Sequence, residues 1–424
     1  MAIADDKKKI VILGGSYAGV STAHYLLKHA IPKLPDQKSY QVVLVSTSSQ
    51  AMCRPAAPRA LISDAMFPQD KLFVSIPKSF SQYAAGSFVF EQGTATALDT
   101  ENRTVSVLPA KPADNSSAAA EVKISYHALV IATGASTPSP LLGFTRDETA
   151  LKASWAAFRE ALPKAKHIVI AGGGSSGVEV AGELGEHLNG RAGWLSSAPA
   201  DPKVRITLVS GGARLLPYLR PAIAQAAETY LAKVGVRVVH NARVATVEPA
   251  TAGTDAVAAP ATLTLDNGET VQADLYIPAV GAVPNTQFVP AAARTADGRV
   301  NTHATTLRVI GAGERVYALG DASSAARPAV HNITTMVPVL GANVRRDLLL
   351  AAGGASAQAA AGEDRAFKED TRETQLVPIG KGKGVGAVMG TRLPSFLVWL
   401  IKGRDYWLWR AGSLWSGKQW AKES

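Results

Sequence analysis

Val169–Leu184 reads VIAGGGSSGVEVAGEL, and its glycines at 172, 174 and 177 complete the pattern GxGxxG. The apolar run before them, from HIVIA at His167, is short and continuous, as expected of a parallel-sheet strand buried on both faces. The apolar residues after them, from Val178 to Leu188, recur at helical spacing. The stretch therefore predicts strand, tight turn and helix, with VRITLVS (Val204–Ser210) as the next strand of a βαβ unit. In such a turn the first glycine permits the bend, the second lets backbone approach a pyrophosphate, and the third lets the helix lie close to the strand. The helix N-terminus then turns free amide groups and the positive end of its dipole toward the phosphates.

The same grammar occurs once before. IVILGGSYAG (Ile10–Gly19) again runs from an apolar strand into glycines, with Gly14, Gly15 and Gly19 in place and Ser16 at the middle position. Val20, Ala23, Leu26 and Leu27 share a helical face, and QVVLVS (Gln41–Ser46) is the next expected strand. This is an internal repeat of a nucleotide-binding unit. Two dinucleotide sites in one chain imply electron transfer between two cofactors, for which flavin and nicotinamide are the natural pair.

The 424 residues, 47% of them hydrophobic, are enough for two or three domains with separate cores. Phe88–Asp99 reads as antiparallel strands, and HALVIATGAS (His127–Ser136), DLYIPAVGAVPNT (Asp274–Thr286) and RVYALGDAS (Arg315–Ser323) each read as a strand ending in glycine. Low-complexity stretches at Pro109–Ala120, Ala250–Ala261 and Ala351–Gly362 read as solvated loops. The opening MAIADDKKKIVILGG carries acids where an export signal has bases, so no cleaved signal is expected.

GGSYAG, VIATGAS, GGGSSGVEVAGEL, AVGAVPNT and YALGDAS, in this order, resemble the two-dinucleotide-binding-domain flavoproteins of the pyridine nucleotide-disulfide oxidoreductase superfamily. Within it the chain most resembles the apoptosis-inducing-factor-like group, particularly the ferroptosis-suppressor (AMID-type) quinone reductases, and less closely the type II NADH dehydrogenases. The resemblance implies an α/β fold of two Rossmann-like, three-layer domains, the NAD(P)H domain inserted into the FAD domain, plus a small α+β C-terminal region. The implied boundaries are 1–148 and 284–348 for FAD, 149–283 for NAD(P)H, and 349–424 for the C-terminal region.

Residue by residue, it implies that Gly14, Gly15, Ser16, Tyr17, Ala18 and Gly19 form the FAD pyrophosphate turn and that Arg59 contacts flavin. Ala95 matches a backbone contact to the adenine end, Asp321 the acid that accepts a ribityl hydroxyl, and Thr133, Gly134 and Gly281 further cofactor-binding positions. Gly172, Gly174 and Gly177 hold NADH or NADPH. Ser210 stands where an NADH-selective acid would lie, followed by Gly211, Gly212 and Arg214, so NADPH is admitted. Glu179 and Lys402 are the expected catalytic pair beside the flavin, and a quinone is the expected acceptor.

Cys53, the single cysteine, has no partner for dithiol chemistry, although a single-cysteine, thiol-dependent NAD(P)H oxidase or disulfide reductase and a redox-sensing, apoptosis-inducing-factor-like signalling flavoprotein stay open as alternatives. The histidines show no pair at metal-ligand spacing and no GxSxG elbow is present, so metal and hydrolytic chemistry are not expected. Of the net charge of +10, +6 falls within Lys381–Ser424, which also holds Trp399, Trp407, Trp409, Trp415 and Trp420. No nucleic-acid motif accompanies this tail. It reads either as an aromatic core or as a peripheral membrane contact led by Trp415 and Trp420, since its apolar run Phe396–Ile401 falls far short of the roughly 20 residues that span a bilayer. The expected location is cytoplasmic, with contact to a membrane surface and mitochondrial association left open. Nothing in the sequence specifies an oligomeric state.

Overall fold

In a computed structural model, which describes residues 7–110 and 120–423, the first apolar run forms strand β1 (Lys8–Leu13), then helix α1 (Tyr17–Tyr25) and β2 (Tyr40–Ser46). β1 and β2 pair in parallel with Ile10 opposite Val42. Phe88–Asp99, expected as antiparallel strands, is instead a single strand, β3. Its first half pairs in parallel with β2 and its second half antiparallel with β4 (Thr104–Pro109). An irregularity between Ala95 and Ala97 lets one strand serve both the main sheet and an antiparallel extension. β5 (Val122–Ser125) completes the extension, and β6 (Ala128–Ile131) lies parallel to β1.

Helix α2 (Glu148–Ala161), capped by the Asp147 carboxylate on the Ala150 amide, leads away from this sheet. A second parallel sheet follows, from β7 (His167–Ala171), β8 (Arg205–Val209), β9 (Val236–Val239) and β10 (Leu275–Pro278) in the order β9-β8-β7-β10, with α3 (Ser175–Asn189) after β7. The chain then returns: β11 (Val316–Ala318) pairs with β6, giving the first sheet the order β11-β6-β1-β2-β3-β4-β5. Departure and return lie side by side, because Ala135–Ser136 pairs antiparallel with Val283–Pro284 and the Asn285 side chain bonds both Thr133 and Ser136. These are two Rossmann-like units, the second inserted into the first.

Continuous apolar strands feed two cores at once, since alternate side chains leave opposite faces. Ile168 and Ile170 join the helical core, while Val169 and Ala171 pack with Leu263 and Leu265 of an antiparallel three-stranded sheet. Ile10 and Ile12 likewise face helices, whereas Val11 and Leu13 pack with Val107, Val289 and Val309. Each unit thus has three layers, with helix on one face and mainly β structure on the other.

The helix α4 (Val330–Ala352) closes on α1 so tightly that a Cβ on Gly341 would stand 2.3 Å from the Tyr25 ring. An antiparallel sheet of β12 (Gln375–Ile379), β13 (Lys383–Val388) and β14 (Thr391–Arg392) then packs on α3, Ile379 against Gly182. Helix α5 (Leu408–Trp415) docks the tail on α1: the His24 Nε2–H donates to the Trp415 carbonyl at 2.8 Å, and Lys28 donates to that of Gly417. Trp415 and Trp420 are buried, so the expectation that they lead a membrane contact is wrong for both; Phe396, Leu400 and Trp409 are the exposed ones. Among the described residues no helix is long and apolar enough to cross a membrane.

Two expected loops also differ. Ala355–Ala361 is helical, as its alanine content favours. Ala250–Ala261 is a series of turns that buries Ala252 and Val257. Most of the third stretch, residues 111–119, lies outside the described residues, as do Met1–Asp6 of the opening segment.

Candidate active site

The two glycine turns obey the same backbone constraints. Gly14 and Gly172 have φ of +118° and +125°, and a Cβ on either would fall 2.2 or 2.3 Å from a carbonyl oxygen, of Ala132 or Ala279. The last glycines cross the first: a Cβ on Gly19 would meet the Gly14 oxygen at 1.7 Å, and one on Gly177 the Gly172 oxygen at 1.9 Å. These four positions shape the turns. Ser16 and Gly174, the middle positions, begin α1 and α3, and neither helix has a side-chain cap. Their first amide groups are therefore available to an anion.

Both helix ends open on one cavity of about 1000 Å³. Gly14, Gly15, Ser16, Tyr17 and Ala18 line it from the first unit, and Gly174 with Ser175 and Ser176 from the second. Ala95, Thr133, Gly134, Gly281 and Asp321 line it as well. Gly19, Gly172 and Gly177 stand behind the lining, and Ser210 is buried away from it, its hydroxyl 3.4 Å from the backbone of Gly212.

Asp321 makes no hydrogen bond among the described residues; burial raises its pKa above the usual carboxylate value, against the pull of Arg54 and Arg299. Arg54 lines the cavity, held by bonds to the carbonyls of Ala135 at 2.7 Å and Leu142 at 3.3 Å. Arg59, the arginine expected at the flavin, does not line the cavity. Its guanidinium forms a bidentate pair with Glu183 at 2.8 and 2.9 Å and reaches the carbonyls of Gly380 and Arg404. Both arginines belong to MCRPAAPRA, and only folding distinguishes the cavity-lining one from the structural one. Tyr218, also missed, lines the cavity from the loop after β8.

Glu179 on α3 and Lys402 in the C-terminal region meet at the cavity wall, Nζ to Oε1 at 2.5 Å, and Nζ also donates to the Leu376 carbonyl at 3.0 Å. Burial pushes the Glu179 pKa up to about 7, although Lys402 pulls it down. Tyr406 and Arg59 close the layer behind, both bonded to Glu183. Cys53 is fully buried, with Tyr17 donating to its Sγ at 3.2 Å and its own thiol 3.4 Å from the Tyr406 carbonyl. Burial raises its pKa to about 11, so at neutral pH it is a thiol and a poor nucleophile.

Comparison with known proteins then places the chain: the model of the pyridine nucleotide-disulphide oxidoreductases matches residues 8–338. The protein belongs to that family. Among curated proteins of similar sequence, oxidoreductase phnG of Penicillium herquei is 60% identical over 99% of both chains. Oxidoreductase ptaL of Pestalotiopsis fici is 33% identical, covering 93% of this chain and 95% of its own. Among solved structures, NDH2 from Plasmodium falciparum in complex with NADH shares the fold, with a TM-score of 0.63 at 16% identity over 99% of each chain.

As a pyridine nucleotide-disulphide oxidoreductase the protein is an NAD(P)H-dependent flavoenzyme, with FAD and NADH or NADPH as its cofactors. The cavity fits them. Two uncapped helix ends suit two pyrophosphates, a Cβ on Gly174 would meet nothing within 4 Å, and the Asp321 carboxylate is left to accept a hydroxyl.

Proposed function

We propose that the protein passes electrons from NADH or NADPH through FAD to a quinone, as an AMID-type NAD(P)H:quinone oxidoreductase. The observation carrying this reading is the convergence of both fingerprint helices and the Glu179–Lys402 pair on one cavity. FAD, when bound, supplies the two-electron relay between nucleotide and acceptor. Residues 1–148 and 284–348 would form the FAD unit, 149–283 the NAD(P)H unit and 349–424 the C-terminal region. Gly14–Ala18 hold the FAD pyrophosphate, Asp321 accepts a ribityl hydroxyl, and Ala95 approaches the adenine end. Arg54 takes the flavin-side role expected of Arg59. Gly174–Ser176 hold the nucleotide, with Thr133, Gly134 and Gly281 lining the junction of the units.

Quinone reduction consumes protons, and Glu179 is a cavity-lining group that can hold one near neutral pH. Lys402 fixes its carboxylate in place. A thiol-dependent oxidase or disulfide reductase is disfavoured by the burial of Cys53 and its raised pKa. The tail would bring the enzyme to a cytoplasmic membrane surface through Phe396, Leu400 and Trp409, beside Arg404 and Arg410, where long-tailed quinones reside. The test is anaerobic mixing of the holoenzyme with NADH or NADPH, then with quinones, disulfides or oxygen, while the flavin spectrum is followed. Rapid reoxidation by quinones supports the reading, whereas reoxidation by disulfides alone overturns it.

A further inference from the structure

Strand β8 ends at Val209, where the ribose of a nucleotide bound over the Gly172–Gly177 turn is selected in Rossmann-like units. The next residue, Ser210, turns inward: its Oγ stands 2.3 Å from where a Cβ on Gly173 would be, and its side chain is buried. Serine at this position supplies no carboxylate of the NADH-selecting kind. Gly211 follows, and the Arg243 side chain lies over it, Nε and Cγ 2.7 and 2.8 Å from where a Gly211 Cβ would stand.

Backbone bonds fix this approach, from Asn241 to Gly212 at 3.2 Å and from Ala242 to Ser210 at 3.1 Å. The Arg243 amide donates to Asp266 at 2.9 Å, but the exposed guanidinium has no hydrogen bond or ion pair among the described residues. Arg214, also exposed, lies three residues beyond Gly211; among the described residues its one hydrogen bond is to the Pro217 carbonyl, at 3.2 Å, and its charge helps to lower the pKa of Glu373. The acids nearby are engaged: Asp266 accepts from the Arg243 amide, Glu228 pairs with His240 at 3.2 Å, and Glu373, within the field of Arg214, accepts from Arg220 at 2.7 Å.

We infer that Arg243, assisted by Arg214, binds the 2′-phosphate of NADPH at the end of β8 and makes NADPH the preferred nucleotide. This rests on the reading of the second unit as the NAD(P)H unit. A guanidinium suits a phosphate dianion through charge-assisted, paired hydrogen bonds, while Ser210, Gly211 and Gly212 at the strand end offer the ribose hydroxyls of NADH no carboxylate. Arg243 is 69 residues from the fingerprint in Gly174 numbering, so only the fold brings it to this place.

The test pairs binding with kinetics in the holoenzyme and in Arg243→Ala, Arg243→Lys and the double variant Arg214→Ala/Arg243→Ala. Wild type should bind 2′,5′-ADP about tenfold or more tighter than 5′-AMP, and show a similar NADPH-to-NADH ratio of kcat/KM for flavin reduction. Arg243→Ala should cut both ratios about fivefold or more, the lysine variant less, and the double variant should abolish them. Equal binding of 2′,5′-ADP and 5′-AMP by wild type, or equal losses for both nucleotides in Arg243→Ala, overturns the inference. If neither nucleotide reduces the flavin, the functional reading fails, and the ratio of the two adenosine phosphates still decides this site.

Discussion

Glu179 is 3% exposed with Lys402 against its carboxylate, and its pKa of about 7 compares with 4.5 for an ordinary glutamate. The native state therefore holds this proton more tightly than the unfolded chain, and its contribution to stability declines as pH rises from about 4.5 to about 7. Glu179→Gln cannot titrate. It should flatten that part of the stability curve and remove a step near pH 7 from the pH profile of quinone reduction; an unchanged step would assign the titration to another group. Asp321→Ala should weaken FAD about ten- to hundredfold, since a hydrogen bond to a charged acceptor contributes about 1.5 to 3 kcal/mol. Equilibrium titration of the apoprotein with FAD measures this, and wild-type affinity in the variant would remove Asp321 from the site.

At the scale of elements, the tail is held to α1 by a histidine in one tautomer. A carbonyl can only accept, so His24 carries its proton on Nε2 toward Trp415, and Nδ1 accepts from the Tyr83 hydroxyl at 2.8 Å. Burial, with Phe80 stacked at 4.0 Å, pushes its pKa down to about 4, below the 6.5 of the unfolded chain. The unfolded state thus binds more protons between these values, and stability is lost as pH falls from 6.5 to about 4, by on the order of 3 kcal/mol at most. Amide exchange should show Trp415–Trp420 losing protection across that interval before β1 and β2 do. Protection independent of pH would mean that His24 does not govern docking.

For the whole molecule, the insertion places two nucleotide turns on one cavity, and the C-terminal region completes its wall with Lys402. That region presents its outer face at Phe396, 63% exposed, and Trp409, 57% exposed. The holoenzyme should sediment with anionic liposomes at low salt and detach as ionic strength rises. Phe396→Ala with Trp409→Ala should weaken this binding while leaving the fold intact, whereas Trp415→Ala should cost about 3 to 5 kcal/mol of stability by emptying a buried site. No sedimentation of the wild type at low salt would leave the outer face without a lipid role.

The strand, turn and helix of each nucleotide unit were legible because their determinants are local. The φ of Gly14 and Gly172, and the contacts of Gly19 and Gly177 with them, involve residues five apart, so the chain cannot meet them with other residue types. The order of motifs also carried the fold class and the identity of most cavity residues, from Gly14 to Asp321. What only the tertiary structure decided depends on partners far away in the chain. Arg54 and Arg59 look alike in sequence, but Glu183 takes Arg59 and leaves Arg54 at the cavity. Trp415 and Trp409 look alike too, until α1 covers the first and leaves the second in solvent. Phe88–Asp99 became one strand because β2 and β4 offer it edges of opposite direction. A local pattern specifies backbone geometry, whereas the side chain that is buried, paired or free is settled by what the rest of the molecule packs against it.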